Sequence, residues 1–323
     1  MKRNFFSGLL ALAALSVIGV GAAAQTAGDW PTKPVRVIVN YPPGGSTDNA
    51  TRPFIERLSG RLGQQFVIEN KSGASGAVGV EAGTKALPDG YTFFASPVAT
   101  LAILPNARPT PYDPFKDMVP VSHYADSTLV VAVHPSVPVN TLQELVSYTK
   151  ANPGKVTFGS SGLGTLTQMI CEGLNSAGGI DMLHVPYRGG AESLADFLAG
   201  VVQVFGEGNI LPHVKAGKAK LLAVVDSQRH PDFPDVPMLT EIYPQLTMVN
   251  WFAMFAPVGT PAPIVRKMSE ALNQVAADPT LQAHLLKFAL RANVGTPEQL
   301  TALLRKDYDL YGKMVRDLKI RMD

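Results

Sequence analysis

Short β-branched runs alternate with amphipathic stretches along most of this chain, and that alternation constrains the fold more than any other feature. The strand-like runs are Val35 to Val39, Phe66 to Glu69, Thr92 to Ala95, Leu129 to Val133, Val156 to Phe158, Met182 to Val185, Val201 to Phe205 and Leu221 to Val225. Between them apolar residues recur at helical spacing over Ala50 to Leu62, Val78 to Ala86, Leu142 to Ala151, Leu166 to Ala177, Ala191 to Ala199 and Leu211 to Ala216. A strand that passes through a helix to the next strand makes a crossover unit, so the pattern predicts an α/β fold of mostly parallel sheets flanked by helices. Pro263 to Lys287 and Pro297 to Leu318 read as two or three further helices. Pro97 to Asp117 and Ser227 to Pro244 are proline-rich, polar and aperiodic, and both are expected to be passages between domains. Two passages make one domain discontinuous: residues 25–125 with 247–323 form domain 1 and residues 126–246 form domain 2. A ligand cleft is expected between them, beyond the carboxyl ends of the strands.

The first residues are set apart from the fold. Lys2-Arg3 form a charged head, Phe5 to Val20 an apolar run, and Ala22-Ala23-Ala24 a small-residue cleavage site. Residues 1–24 are therefore expected to be a signal peptide cleaved after Ala24. The alternative of a retained anchor is weakened by an apolar run shorter than the roughly 20 residues that span a bilayer. Removal of Lys2 and Arg3 takes the formal net charge from +2 to zero, so the mature chain carries no basic footprint for nucleic acid. Cys171 is the one cysteine, which excludes an internal disulfide and leaves stability to a core drawn from a 46% hydrophobic composition.

Two glycine-rich turns carry the chemistry. Tyr41-Pro42-Pro43-Gly44-Gly45-Ser46-Thr47-Asp48 follows a strand and opens into a helix. The first N–H groups of a helix lack intrahelical partners and carry partial positive charge, and Gly44-Gly45 lets the backbone approach a ligand. A small carboxylate or phosphate suits such a cradle; an ordinary turn with Thr47 or Asp48 as N-cap is the other reading. Gly45 is expected to accept no side chain, through a clash with ligand or an unfavourable backbone angle. A second cradle runs Gly159-Ser160-Ser161-Gly162-Leu163-Gly164-Thr165 into a helix at Leu166. The site residues drawn from the two are Tyr41, Gly44, Gly45, Ser46, Thr47 and Asp48, with Ser160, Ser161, Gly164 and Thr165. Thr165 either caps its helix or donates its hydroxyl to a ligand carboxylate, and Tyr41 either lies at the cleft lip or in the core. Ser96 and Thr100 are cleft-edge candidates by position, or members of a solvated loop.

With these residues in view, the chain resembles the substrate-binding receptors of tripartite tricarboxylate transporters, also called the Bug family of periplasmic proteins. The resemblance runs from Trp30-Pro31 through the Tyr41 turn, Glu69-Asn70-Lys71 with Gly73-Ala74-x-Gly76, and Pro88-Asp89-Gly90-Tyr91-Thr92. It continues through Phe158-Gly159-Ser160, Val185-Pro186-Tyr187-Arg188-Gly189, His213 to Lys218, and Trp251-Phe252 leading into Ala256-Pro257-x-Gly259-Thr260-Pro261. It implies a two-domain periplasmic binding protein of type II-like architecture that closes on a small organic acid, performs no catalysis and delivers its ligand to membrane transporter subunits. It also implies ligand contacts at the two glycine-rich loops and adds Tyr187. A ligand sensor that presents its closed form to a signalling partner fits the same features. No cofactor, metal or nucleic acid is expected, and the protein is expected to be a monomer. One departure bears on specificity: where many members carry Val-Asp-x-x-Phe, this chain has Val202-Gln203-Val204-Phe205, followed by Gly206-Glu207-Gly208-Asn209. Glu207 or Asn209 is a candidate for the ligand's far end, and an acidic Glu207 favours an ammonium group there.

Other chemistries fit less well. Gly73-Ala74-Ser75-Gly76-Ala77 is close to a hydrolase nucleophile elbow, but alanine replaces the last glycine and a polar stretch, Glu69 to Ser72, stands where an apolar strand is needed. Gly73, Gly76 and Gly79 read better as a tightly packed helix start. No histidines stand at i and i+4, no CxxC occurs, and Gly217-Lys218 is followed by Ala219 rather than Ser or Thr. His184 and His213 sit beside apolar residues and read as structural.

Overall fold

The computed structural model describes residues 29–226 and 228–318, so the expected signal peptide and Ser227 lie outside the described residues. In chain order the elements are β1 (Val35–Val39), α1 (Ser46–Leu62), β2 (Phe66–Asn70), α2 (Ala77–Thr84), β3 (Thr92–Pro97), α3 (Leu104–Ala107) and β4 (Met118–Ser127). Then come β5 (Leu129–Val133), α4 (Leu142–Ala151), β6 (Thr157–Ser160), α5 (Leu166–Gly178), β7 (Leu183–Pro186), α6 (Gly190–Leu198), β8 (Val204–Glu207), α7 (Leu211–Lys215) and β9 (Lys220–Val225). The chain finishes with α8 (Leu239–Ile242), β10 (Asn250–Pro257), α9 (Ala262–Ala276), α10 (Pro279–Leu286), β11 (Leu290–Ala292) and α11 (Pro297–Asp317). The long terminal helix starts where its sequence dictates: Thr296 and Gln299 form a reciprocal capping box and Pro297 takes the first turn, where its missing N–H is harmless.

Two sheets flanked by helices form the two domains. The six-stranded sheet has the order β11-β4-β10-β3-β1-β2 and the five-stranded sheet β7-β6-β8-β5-β9. β1 lies parallel to β2 and β3, and β6 parallel to β7 and β8, as βαβ crossovers require. The remaining pairings are antiparallel, so each sheet is mixed rather than mostly parallel. The cause is connectivity: β4 and β10 carry the chain between the sheets and pair with each other in opposite directions, Asn250 opposite Ser127.

Pro97 to Asp117 is not a passage between domains. β3 and β4 belong to one sheet, and residues 98–104, all buried, wind as helical turns against α11. The first crossing is made at Thr128, between β4 and β5, and the return by residues 228–249. Both crossings are tied at one point. Arg291 on β11 donates to both carboxylate oxygens of Asp226, at 2.6 and 3.0 Å, and Thr128 Oγ1 donates to the same carboxylate at 2.7 Å. One apolar cluster runs through both domains, with Phe94 and Trp251 at one end and Phe158 and Leu174 at the other.

Candidate functional site

Three helix starts line a cavity of about 50 Å³ between the domains. α1 begins at Gly45, in extended backbone (φ −74°, ψ 169°), with no side chain capping its first turn. Thus Ser46 to Asn49, which the sequence pattern leaves outside the helix, are its first turn, and neither Thr47 nor Asp48 is the N-cap. α6 begins at Gly189, also without a side-chain cap. α5 is different: Thr165 is its N-cap, accepting from the Gln168 N–H at 3.5 Å while donating to the Gly162 carbonyl at 2.8 Å. The first-turn N–H groups of α1 and α6 are therefore the ones left for an outside acceptor, whereas the Thr165 hydroxyl proton is already engaged.

Among the described residues, Glu207, at the end of β8, is the one acidic residue lining this cavity, and no lysine, arginine or histidine lines it. Its Oε2 accepts from Ser46 Oγ at 2.6 Å, a hydrogen bond that joins the two domains, with the Ser161 hydroxyl also bonded to the carboxylate. The side chain presses on the α6 start: a Cβ at Gly190 would fall 2.2 Å from Oε2. Burial raises the Glu207 pKa, and the two hydroxyls only partly offset this. Burial likewise pushes the Tyr41 phenol up to about 12, against the Thr100 hydroxyl and helped by the neighbouring Glu207 charge. Tyr41 donates to the Ser75 carbonyl at 3.1 Å. It stands between the inner cavity and a wider opening of about 540 Å³ formed by residues 72–76, 161–163 and 186–188.

Of the residues expected from the sequence, Tyr41, Gly45, Ser46, Thr47, Ser161, Thr165 and Glu207 line the inner cavity, and Tyr187 lines the outer opening. The others are among the supports. Asp48 faces away from the cavity; its burial would raise its pKa, but hydrogen bonds from Arg52, Asn70 and the Gly44 N–H outweigh this and hold it below the usual range. Ser96 and Thr100 are buried, not solvated, and both accept from Asn40 Nδ2. Ser160 binds the Gly162 carbonyl and His184, and the Gly164 N–H donates to Gln168. His184 stacks on Phe158, and burial lowers its pKa to about 4, so it is neutral and structural. Asn209 does not line the cavity, and Gln203 braces β6 by accepting from the Thr157 N–H and hydroxyl.

For Gly45 the unfavourable backbone angle is corrected. Its φ is ordinary and a Cβ there would meet only the Pro42 carbonyl at 3.4 Å; the left-handed position is Gly44, at φ +76°. Ser75, in the elbow-like motif, has left-handed backbone (φ 56°) in the turn before α2, where Gly76 and Gly79 press on Asn40. Sequence reasoning missed Gly189-Gly190, Leu129, Thr167, Asn250 and Phe252, all of which line the inner cavity. For Gly189-Gly190 the signal was present, a strand followed by two glycines and a helix; the strand residues are brought in only by the crossings.

A family model described as the tripartite tricarboxylate transporter family receptor matches residues 51–320. The protein BugT of Bordetella pertussis is 32% identical over 315 residues, covering 96% of this chain and 97% of its own. Among solved structures, Rpa4515 of R. palustris with adipate is 29% identical at a TM-score of 0.86, covering 91% of this chain and 99% of that one. MatC from Rhodopseudomonas palustris with bound malate is 27% identical at a TM-score of 0.83, covering 88% and 100%.

Proposed function

The chain belongs to the tripartite tricarboxylate transporter receptor family, and we propose that it is an exported periplasmic receptor that captures a small organic carboxylate between its two lobes and delivers it to a membrane transporter of that type. The observation that carries this reading is the convergence of two uncapped helix starts, at Gly45 and Gly189, on one cavity between the domains. Their N–H groups hold one carboxylate without a formal positive charge. Thr47 adds a hydroxyl to the cavity wall, and Leu129, Leu166 and Phe252 exclude water around the ligand's carbon frame. The adipate and malate carried by two relatives support a carboxylate as the ligand class.

The cavity is small. A water needs about 10–15 Å³, so 50 Å³ holds a few waters and a carboxylate enters only when the lobes part. Closure then follows from contacts the ligand makes with both lobes at once. The lobes follow the division of residues 25–125 with 247–323 and 126–246, except that β4 carries Asp126 and Ser127 into the first lobe, the crossing falling at Thr128 and the return before β10. Residues 1–24 direct export and are cleaved after Ala24.

Calorimetric titration of the mature chain with aliphatic, aromatic and amino carboxylates tests the proposal, with small-angle scattering on the same samples. Binding with a decrease in radius of gyration is expected. If only sugars or inorganic cations bind, the carboxylate reading is wrong; tight binding with no compaction refutes lobe closure.

A further inference from the structure

We propose that Glu207 makes this a receptor for carboxylates that also carry an ammonium group, that is, amino acids, with the ligand carboxylate on the helix starts and its ammonium against Glu207. The inference rests on the carboxylate reading above and narrows it. Glu207 Oε1 and Oε2 lie in the cavity wall beside Ser46, Ser161 and Gly190, and the carboxylate is hydrogen-bonded by two neutral hydroxyls, those of Ser46 and Ser161. Among the described residues no basic side chain lines the cavity, so no formal positive charge of its wall pairs with the Glu207 carboxylate. A second ligand carboxylate in this space would meet Glu207 as a like charge in a low-dielectric site, which is strongly disfavoured. An ammonium group does the opposite: it brings the missing cation and three donors, one for the oxygen now bonded to Ser46.

The geometry is built for such an exchange. Ser46 is on domain 1 and Glu207 on domain 2, and their 2.6 Å hydrogen bond is a contact made across the cleft. A ligand ammonium placed between them takes over that bond, so the atoms that hold the lobes together without ligand become the ones that read it. Gly190 leaves the carboxylate room that no other residue type would leave, since even a Cβ would fall 2.2 Å from Oε2 and 2.5 Å from Oε1. The same contact fixes where the carboxylate points, which is what selection between ligand end groups needs.

The test is calorimetric titration of the mature chain with matched probes: the standard amino acids and ω-amino acids such as β-alanine, the deaminated monocarboxylates such as propionate, and dicarboxylates such as succinate. The best amino acid is expected to bind at least tenfold more tightly than its deaminated and dicarboxylate counterparts. Glu207→Gln, which keeps the shape and the Ser46 contact, is expected to remove that preference; an unchanged far-ultraviolet spectrum shows that it folds, and the ranking on the parent chain needs no variant. A parent chain that prefers dicarboxylates overturns this inference while leaving the carboxylate receptor standing. So does uptake of about one proton with a dicarboxylate, seen by titrating in buffers of different ionisation enthalpy, because Glu207 then acts as a neutral donor. Binding of no carboxylate at all overturns both.

Discussion

Replacing Gly190 with alanine is the sharpest probe of the cleft, because one added methyl meets one defined group. Its Cβ would lie 2.2, 2.5 and 2.6 Å from Oε2, Oε1 and Cδ of Glu207. Carbon and oxygen at rest stay about 3.5 Å apart, so the carboxylate must retreat by about 1 Å. That retreat lengthens the 2.6 Å bond from Ser46 to the edge of hydrogen-bonding range. Loss of a bond to a charged group costs about 1.5–3 kcal/mol, and overpacking of a buried site typically costs about 1–3 kcal/mol. The two descriptions overlap, and we take about 2–3 kcal/mol for the clash. Against it stands the lower entropy of alanine at a helical position, about 0.5–1 kcal/mol in its favour. Gly190→Ala should therefore destabilise by about 1–2 kcal/mol. With Glu207→Ala already present the clash is gone, and the same change should stabilise by about 0.5–1 kcal/mol, a coupling of about 2–3 kcal/mol. Urea unfolding of the parent, both single variants and the double variant, compared at equal m-values, measures it. An equal loss from Gly190→Ala in both backgrounds would refute the placement of Glu207 against the α6 start.

Three further outcomes are expected. Gly44→Ala, at φ +76°, should cost about 1–2 kcal/mol in thermal or urea unfolding, whereas Gly45→Ala should change stability by less than about 0.5 kcal/mol, and the reverse order would contradict the backbone described for this turn. Arg291→Met removes the guanidinium from buried Asp226 where both chain crossings meet, and should cost about 2–3 kcal/mol, read as a lower urea midpoint; Asp226→Asn should restore part of the loss in that background. Because burial raises the Glu207 pKa in the folded state, its contribution to stability is present in full below the unfolded-state pKa and is lost as pH rises through the folded one. Unfolding of Glu207→Gln and the parent should therefore diverge in favour of the variant as pH rises above the ordinary carboxylate range, and a constant difference across pH would show that Glu207 is not raised.

How far the sequence reaches is clearest from pairs of residues in one motif. Val35–Val39, Leu129–Val133 and Leu142–Ala151 have the bounds their side chains predict, because β-branched runs and helical apolar spacing are local properties. β4 and β10 were not legible. β4 carries Ser122, His123, Asp126 and Ser127 buried in a central strand, so it lacks the alternation of a half-exposed one, and these polar residues are tolerated because each is bonded: Ser122 to the Gly295 carbonyl, Asp126 to His123 on the same strand and to Asn293, and Ser127 to the Thr128 carbonyl. The same division holds in the Tyr41 turn. Its glycines and helix start announce an anion cradle, yet Ser46 faces the cavity while Asp48, two residues on, turns to Arg52 and Asn70.

By itself the sequence determined the two α/β domains and the glycine-rich helix starts, since each is written in neighbouring residues. The tertiary structure decided which helix starts stay uncapped, and it put Glu207, not Asn209, in the cavity wall. Only the packing of β8 against α6 and of one lobe against the other brings Ser46 within 2.6 Å of a carboxylate 161 positions away. Local chemistry sets what each group is able to bind; the chain crossings at Thr128 and before β10 set which groups share one space.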